Sequence, residues 1–282
     1  MIRSLTFATL LTMPIITCAQ GKLDAVRDAV DKPQSNDEKS SSDSWGDVLG
    51  DVIGEGFGDV FLYALAAPWT APHSLFDPGL KFDGRFTHYP FAASDTGYVL
   101  IDRWNQPEGG QHFSERHDTQ WYSVRASGEV GSDFDGLTRV GLRLFLDTDT
   151  RFGLKTDWDY YSERLDCGCR DELWIGDVTG TYRFVQNEWL MMHTGLGVRF
   201  QLDHGHDRAG FNFLYGFDAF PSQPVNLFGS FEGGTLGGAG VARLRGGVGV
   251  NYTHAELFAG YDYLNIGGAV LQGPFVGLRL WF

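Results

Sequence analysis

Gly273-Pro274-Phe275-Val276-Gly277-Leu278-Arg279-Leu280-Trp281-Phe282 closes the chain. Strand side chains alternate between two faces. Val276, Leu278, Leu280 and Phe282 therefore form one row, and Phe275, Gly277, Arg279 and Trp281 the other. The first row is apolar to the terminal residue. The same alternation recurs upstream, in segments 121–131, 137–147, 152–162, 172–185, 189–202, 209–220, 224–232, 241–252 and 255–264, with 273–282 as the last. Segments of about ten residues suit a tilted strand crossing a hydrocarbon layer.

A strand of this pattern, ending on an aromatic residue, resembles the closing strand of bacterial outer-membrane β-barrels. The resemblance covers residues 121–282. It implies an all-β fold, an antiparallel up-and-down transmembrane barrel of about ten strands. It also implies that Phe282, Leu280, Leu278 and Val276 form the membrane-insertion signal. The partners implied are the barrel assembly machinery and the outer-membrane lipid bilayer.

Connection lengths suggest an orientation. Segments 148–151, 186–188, 221–223 and 253–254 are short, whereas 132–136, 163–171, 203–208, 233–240 and 265–272 are longer. Outer-membrane barrels turn tightly in the periplasm and loop outside, so both ends of the barrel segment should face the periplasm. Trp158, Tyr160, Trp174, Tyr261 and Tyr263 then fall at outer strand ends. Tyr122, Tyr182, Phe184, Tyr252 and Phe282 fall at inner ends, giving two aromatic girdles.

The 282 residues are 43% hydrophobic and 21% charged, with 38 glycines and a formal charge of −14. Glycine at about twice its usual share fits a protein of turns and close strand contacts. The negative charge argues against a nucleic-acid partner, which calls for basic patches. No apolar run after residue 20 reaches the ~18 residues of a spanning helix. Residues 1–19 read as a signal peptide: Arg3, an apolar stretch over 5–16, then Thr17-Cys18-Ala19 before a cut at Gln20. A lipoprotein signal at Cys18 is the alternative. Export leaves Cys167 and Cys169 in an oxidising compartment.

Residues 20–44 are polar and end in a serine run, so a disordered linker is expected there. Residues 45–67 repeat Gly46, Gly50, Gly54 and Gly58 beside an acidic stripe of Asp47, Asp51, Glu55 and Asp59. This reads as an amphipathic helix covering the barrel mouth or a groove, or as a helix self-associating through close glycine contacts. Residues 68–120 read as an irregular periplasmic segment, with an additional strand pair near 86–91 and 98–101 as the alternative.

The strand faces opposite the apolar rows carry Arg139, Arg143, Lys155, Asp157, Asp159, Asp177, Arg183, Arg199, Asp218, Arg243, Arg245, Glu256, Asp262 and Arg279. These are the expected lumen charges. Eight strands already enclose a bore filled by side chains, so ten with long charged groups should be nearly plugged.

Candidate chemistry is thin. Asp157, Asp159 and Asp203, near the outer rim, resemble the carboxylates of the omptin proteases, which are also ten-stranded. That family activates water with acidic residues and a histidine, but His204 and His206 take the opposite parity to Asp203. A lipid hydrolase needs an outward-facing Ser and His. His193 faces inward by parity, and no serine stands beside it. Cys167-Gly168-Cys169 and His204-Gly205-His206 lie on neighbouring loops and offer soft-metal ligands. A strained disulfide between Cys167 and Cys169 is the simpler expectation. No cofactor is expected. The reading is a non-enzymatic structural or surface-exposed envelope protein with a largely plugged lumen. A narrow porin-like pore and an outer-rim hydrolase are the alternatives.

Overall fold

The computed structural model describes residues 21–31, 84–92, 99–101, 120–165, 167–186, 189–203 and 207–282. The elements are α1 (Lys22–Asp31), β1 (Gly84–Phe86), β2 (Val99–Ile101), β3 (Tyr122–Ser132), β4 (Leu137–Thr148), β5 (Phe152–Arg164) and β6 (Arg170–Gln186). They continue with β7 (Leu190–Leu202), β8 (Arg208–Ser222), β9 (Val225–Leu236), β10 (Ala239–Tyr252), β11 (Ala255–Ile266) and β12 (Ala269–Trp281). From β3 onward each strand pairs antiparallel with its neighbour in sequence, and β12 pairs with β3. The fold is a closed ten-stranded up-and-down barrel. Phe282 finishes the seam: its N–H donates to the Val124 carbonyl and its carbonyl accepts from the Val124 N–H, both at 2.9 Å.

The two faces of the wall differ sharply. Val140, Leu142, Leu144 and Leu146 stand exposed on the outside, as do Leu196 and Val198, Leu244, Val248 and Val250, and Val276, Leu278, Leu280 and Phe282. Trp281, one residue from Phe282, is fully buried. An apolar belt around a closed barrel is far larger than the exposed patches of water-soluble monomers.

Two of the expected long loops are tight turns. β9 and β10 join through Gly237-Gly238, and β11 and β12 through Gly267-Gly268. Glycine misled the sequence reading here. Gly233 and Gly234 continue the β9 ladder opposite Ala242 and Val241, where a Cβ on Gly234 would strike the Phe211 carbonyl. The longer connections are 133–136, 165–169 and 203–207, all at one end of the barrel.

Residues 22–31 form a helix, correcting the expectation of an unordered linker. Leu23, Val26, Ala29 and Val30 bury in an apolar cup inside that same end, among Leu137, Tyr161, Leu173, Ile175, Leu236, Val241, Leu264, Ile266 and Leu271. A ten-residue helix is not stable alone in water. The segment's own apolar content is too small to order it, and the cup supplies the missing surface. Gly267 and Gly237 lie against Ala29 and Val30, where a Cβ would crowd α1 at 2.7 Å in each case.

The other mouth is covered by a different part of the chain. β1 pairs with β2, and Phe86 exchanges two backbone hydrogen bonds of 2.9 Å with Gln120. Phe86, Phe91, Met191, Phe220 and Trp281 cluster there. Among the described residues before the barrel, α1 and the β1–β2 pair thus occupy opposite ends. Residues 1–19, the glycine repeat of 45–67 and most of 68–120 lie outside the described residues.

Candidate functional site: the barrel lumen

Strand parity aims a dense set of charges inward. β3 contributes Arg125 and Glu129, β4 Arg139 and Arg143, β5 Lys155, Asp157 and Asp159, and β6 Asp177 and Arg183. β7 to β12 add Arg199, Asp218, Glu232, Arg243, Arg245, Glu256, Asp262 and Arg279. Removing charges from water is costly, so they must find partners or water inside.

Glu129 is a hub. Its side chain is fully buried, and Arg139, Arg143 and Arg245 donate to it at 2.8, 2.8 and 2.7 Å. Asp157 accepts from Arg143 at 2.6 Å and Lys155 at 2.8 Å. Glu232 accepts from Lys155 at 2.8 Å and Arg199 at 2.5 Å. Asp262 accepts from Arg243 at 3.0 Å and also contacts Arg139. Several of these pairs brace opposite walls. Arg125 on β3 meets Asp218 on β8 at 2.7 Å, and Arg243 on β10 meets Asp159 on β5 at 2.7 Å. In each pair the strands lie halfway round the ring from one another.

Below this layer, Arg279 pairs with Glu256 at 3.1 Å, and the Trp281 indole N–H donates to the same carboxylate at 3.0 Å. Phe228, Phe258 and Phe275 pack together. Arg245 lies 3.8 Å over the Phe275 ring and Arg279 4.8 Å over Phe228, adding cation–π contacts. Arg183 holds Asp147 at 2.5 Å and stacks 4.7 Å over Phe86, tying the lower plug to the wall. A cavity of about 90 Å³ remains, bounded by Arg125, Arg143, Lys155, His193, Asp218, Arg245 and Arg279. It has room for several waters.

Asp157, Asp177 and Glu232 bring carboxylate oxygens within 4.8 Å of one another. Lys155 and Arg199 already supply the neutralising cations, although Arg199 reaches Asp177 only at 3.9 Å. The rim carboxylates compared with the omptin set are likewise engaged. Asp157 and Asp159 belong to the lumen network, and Asp203 receives Arg27 of α1. His204 and His206 lie outside the described residues. His193 is buried against Phe145, with ring centroids 5.2 Å apart. Cys167 and Cys169 are exposed. With one residue between them, in a turn where Gly168 has φ 77°, a bridge would need strained geometry.

Arg125, Glu129, Asp147 and Glu232 escaped the sequence reading. On β3 the signal was present: Arg125 and Glu129 share the parity of Ser123 and Ser127, opposite Tyr122, Val124 and Val130. At Glu232 the following Gly233-Gly234 resembles the start of a loop, whereas β9 runs to Leu236.

The helix is held by charge as well as packing. Glu163 accepts the backbone N–H groups of Lys22 and Leu23 at 3.0 Å each, capping the helix start. Lys22 reaches Asp133 at 2.6 Å, and Arg27 grips Asp171 through two bonds of 2.7 and 2.8 Å. The Asp171 carboxylate, opposed by partial burial, holds the Arg27 guanidinium above its usual pKa. Burial pushes the Asp133 carboxyl up, but the Lys22 ammonium and the backbone N–H groups of Asp135 and Leu137 overcome it and hold it below its usual value.

No family model matches the chain, and no curated protein matches it. Among solved structures it is similar to the Yersinia pestis outer membrane protein Ail in a phospholipid bilayer nanodisc, at 11% identity and TM-score 0.34, over 58% of this chain and all of that one. It is also similar to Neisserial surface protein A, at 13% identity and TM-score 0.29, over 57% of this chain and 96% of that one. The β-domain of the Bordetella autotransporter BrkA matches at 12% identity and TM-score 0.32, over 57% and 97%.

Proposed function

We propose that this protein is an integral outer-membrane β-barrel with a non-enzymatic, structural and surface-exposed role and a lumen closed to ion flow. The observation that carries this reading is the set of ion pairs joining opposite walls, Arg125–Asp218 and Arg243–Asp159. A bore crossed by buried, mutually neutralised side chains has no charged path to offer a permeating ion. The apolar outer belt supports the membrane setting. The engagement of Asp157, Asp159 and Asp203 by cations supports a role without hydrolysis, because a general base needs a carboxylate that water can approach. The mouth holding α1 also has the longer connections 133–136, 165–169 and 203–207, and by that asymmetry it faces outward.

A narrow pore is the second reading, favoured by the cavity of about 90 Å³ within the charge network. Membrane setting is tested by fractionation. The protein should float with the outer membrane, resist extraction at high salt and migrate faster on gels when unheated. Release by salt, or migration unaffected by heating, would contradict it.

A further inference from the structure

At the rim of the barrel two guanidinium groups are opposed, and among the described residues no carboxylate pairs with them. Arg164 ends β5, Arg170 begins β6, and the two are cross-strand partners. Both are exposed, on the outward-facing rows of their strands. Like charges directly opposite across a strand pair are destabilising. Among the described residues neither makes an ion pair. On these outward rows the two arginines outnumber Glu172, two residues along β6, so the patch is positive.

The pair sits at the end of a polarity gradient. From wall to rim the outward β5–β6 pairs read Thr156–Val178, Trp158–Gly176, Tyr160–Trp174, Ser162–Glu172 and Arg164–Arg170. The Tyr160 and Trp174 rings lie 4.9 Å apart and mark the edge of the apolar belt. The arginines stand four residues beyond. At ~3.3 Å per residue and a strand tilt of about 40° that is ~10 Å along the membrane normal. A headgroup layer extends roughly 5–7 Å past the hydrocarbon, and long Arg side chains bend back toward such a layer. Beside the pair opens a cleft of about 550 Å³, lined in part by Phe134, Tyr160 and Ser162. Phe134 is 84% exposed at its tip.

We propose that this cleft binds the phosphate headgroup of an anionic membrane lipid, the Arg164 and Arg170 guanidiniums donating to its oxygens. Guanidinium matches phosphate geometrically through paired N–H bonds. A phosphate between the two groups also turns a repulsive cross-strand pair into two attractive ones. The lipid's acyl chains continue down the apolar face past Tyr160 and Trp174. This site rests on the membrane reading above.

The test uses the full chain in nanodiscs of phosphatidylcholine containing a minority of phosphatidylglycerol, with native mass spectrometry counting retained lipids. Phosphatidylglycerol should be enriched about ten-fold over its share for wild type. The enrichment should vanish in Arg164→Gln/Arg170→Gln, whose exposed positions leave gel migration unchanged. Millimolar inorganic phosphate should not displace the lipid. Equal enrichment in the double variant, no enrichment in wild type, or displacement by phosphate alone would overturn the proposal. A protein that enters discs without enrichment sinks this site alone. One that will not enter discs sinks the membrane reading and this site with it.

Discussion

Glu129, like Asp159 and Asp262, meets three guanidiniums in the lumen. Three guanidiniums converge on a carboxylate that solvent does not reach. Glu129→Gln keeps the shape of the side chain but removes the carboxylate charge that Arg139, Arg143 and Arg245 share. Breaking a buried charge pair on one side costs about 3–5 kcal/mol. Urea unfolding of the variant in vesicles should show a loss of that size, and a loss below about 1 kcal/mol would mean that water screens the network. The inward charges show how much a single residue reveals. Parity alone identifies Arg139, Arg143, Asp157 and Asp159, since neighbouring Leu142, Leu144 and Trp158 mark the other face. It does not identify partners. That Arg243 reaches Asp159 is a fact about barrel closure, which no local pattern contains.

At the scale of elements the ten strands were legible and α1 was not. Each strand carries its own alternation, so its existence needs no knowledge of the rest. α1 offers only Leu23, Val26 and Val30 at helical spacing, and its stability comes from a cup built by strands more than a hundred residues away. The glycine turns 237–238 and 267–268 were hidden for a related reason: Gly233 and Gly234 serve close strand contact rather than loop formation. The seat of α1 should depend on pH. Because the folded Asp133 carboxyl is held below its usual pKa, its contribution is present at neutral pH and is lost as pH falls through about 4 and below. A spin label at Asp28→Cys, in a background without Cys167 and Cys169, should be immobile at pH 7 and gain mobility at pH 3. Equal mobility at both would show that the Lys22–Asp133 pair does not hold the helix.

On the scale of the whole molecule, α1 occupies one mouth and the β1–β2 segment the other. With the barrel in a membrane, the two lie on opposite sides of it. In a background lacking native thiols, a cysteine at Asp28 should react with an impermeant maleimide on intact cells, and one at Ala92 only after the outer membrane is opened. Labelling of both on intact cells would contradict that arrangement, and the reversed pattern would invert the barrel.

The closed lumen is tested most directly by current. Purified protein in a planar bilayer should pass no steady current at either polarity, because the pairs joining β3 to β8 and β5 to β10 cross the bore. Stable, ion-selective openings of the wild type would contradict the account and make the protein a pore.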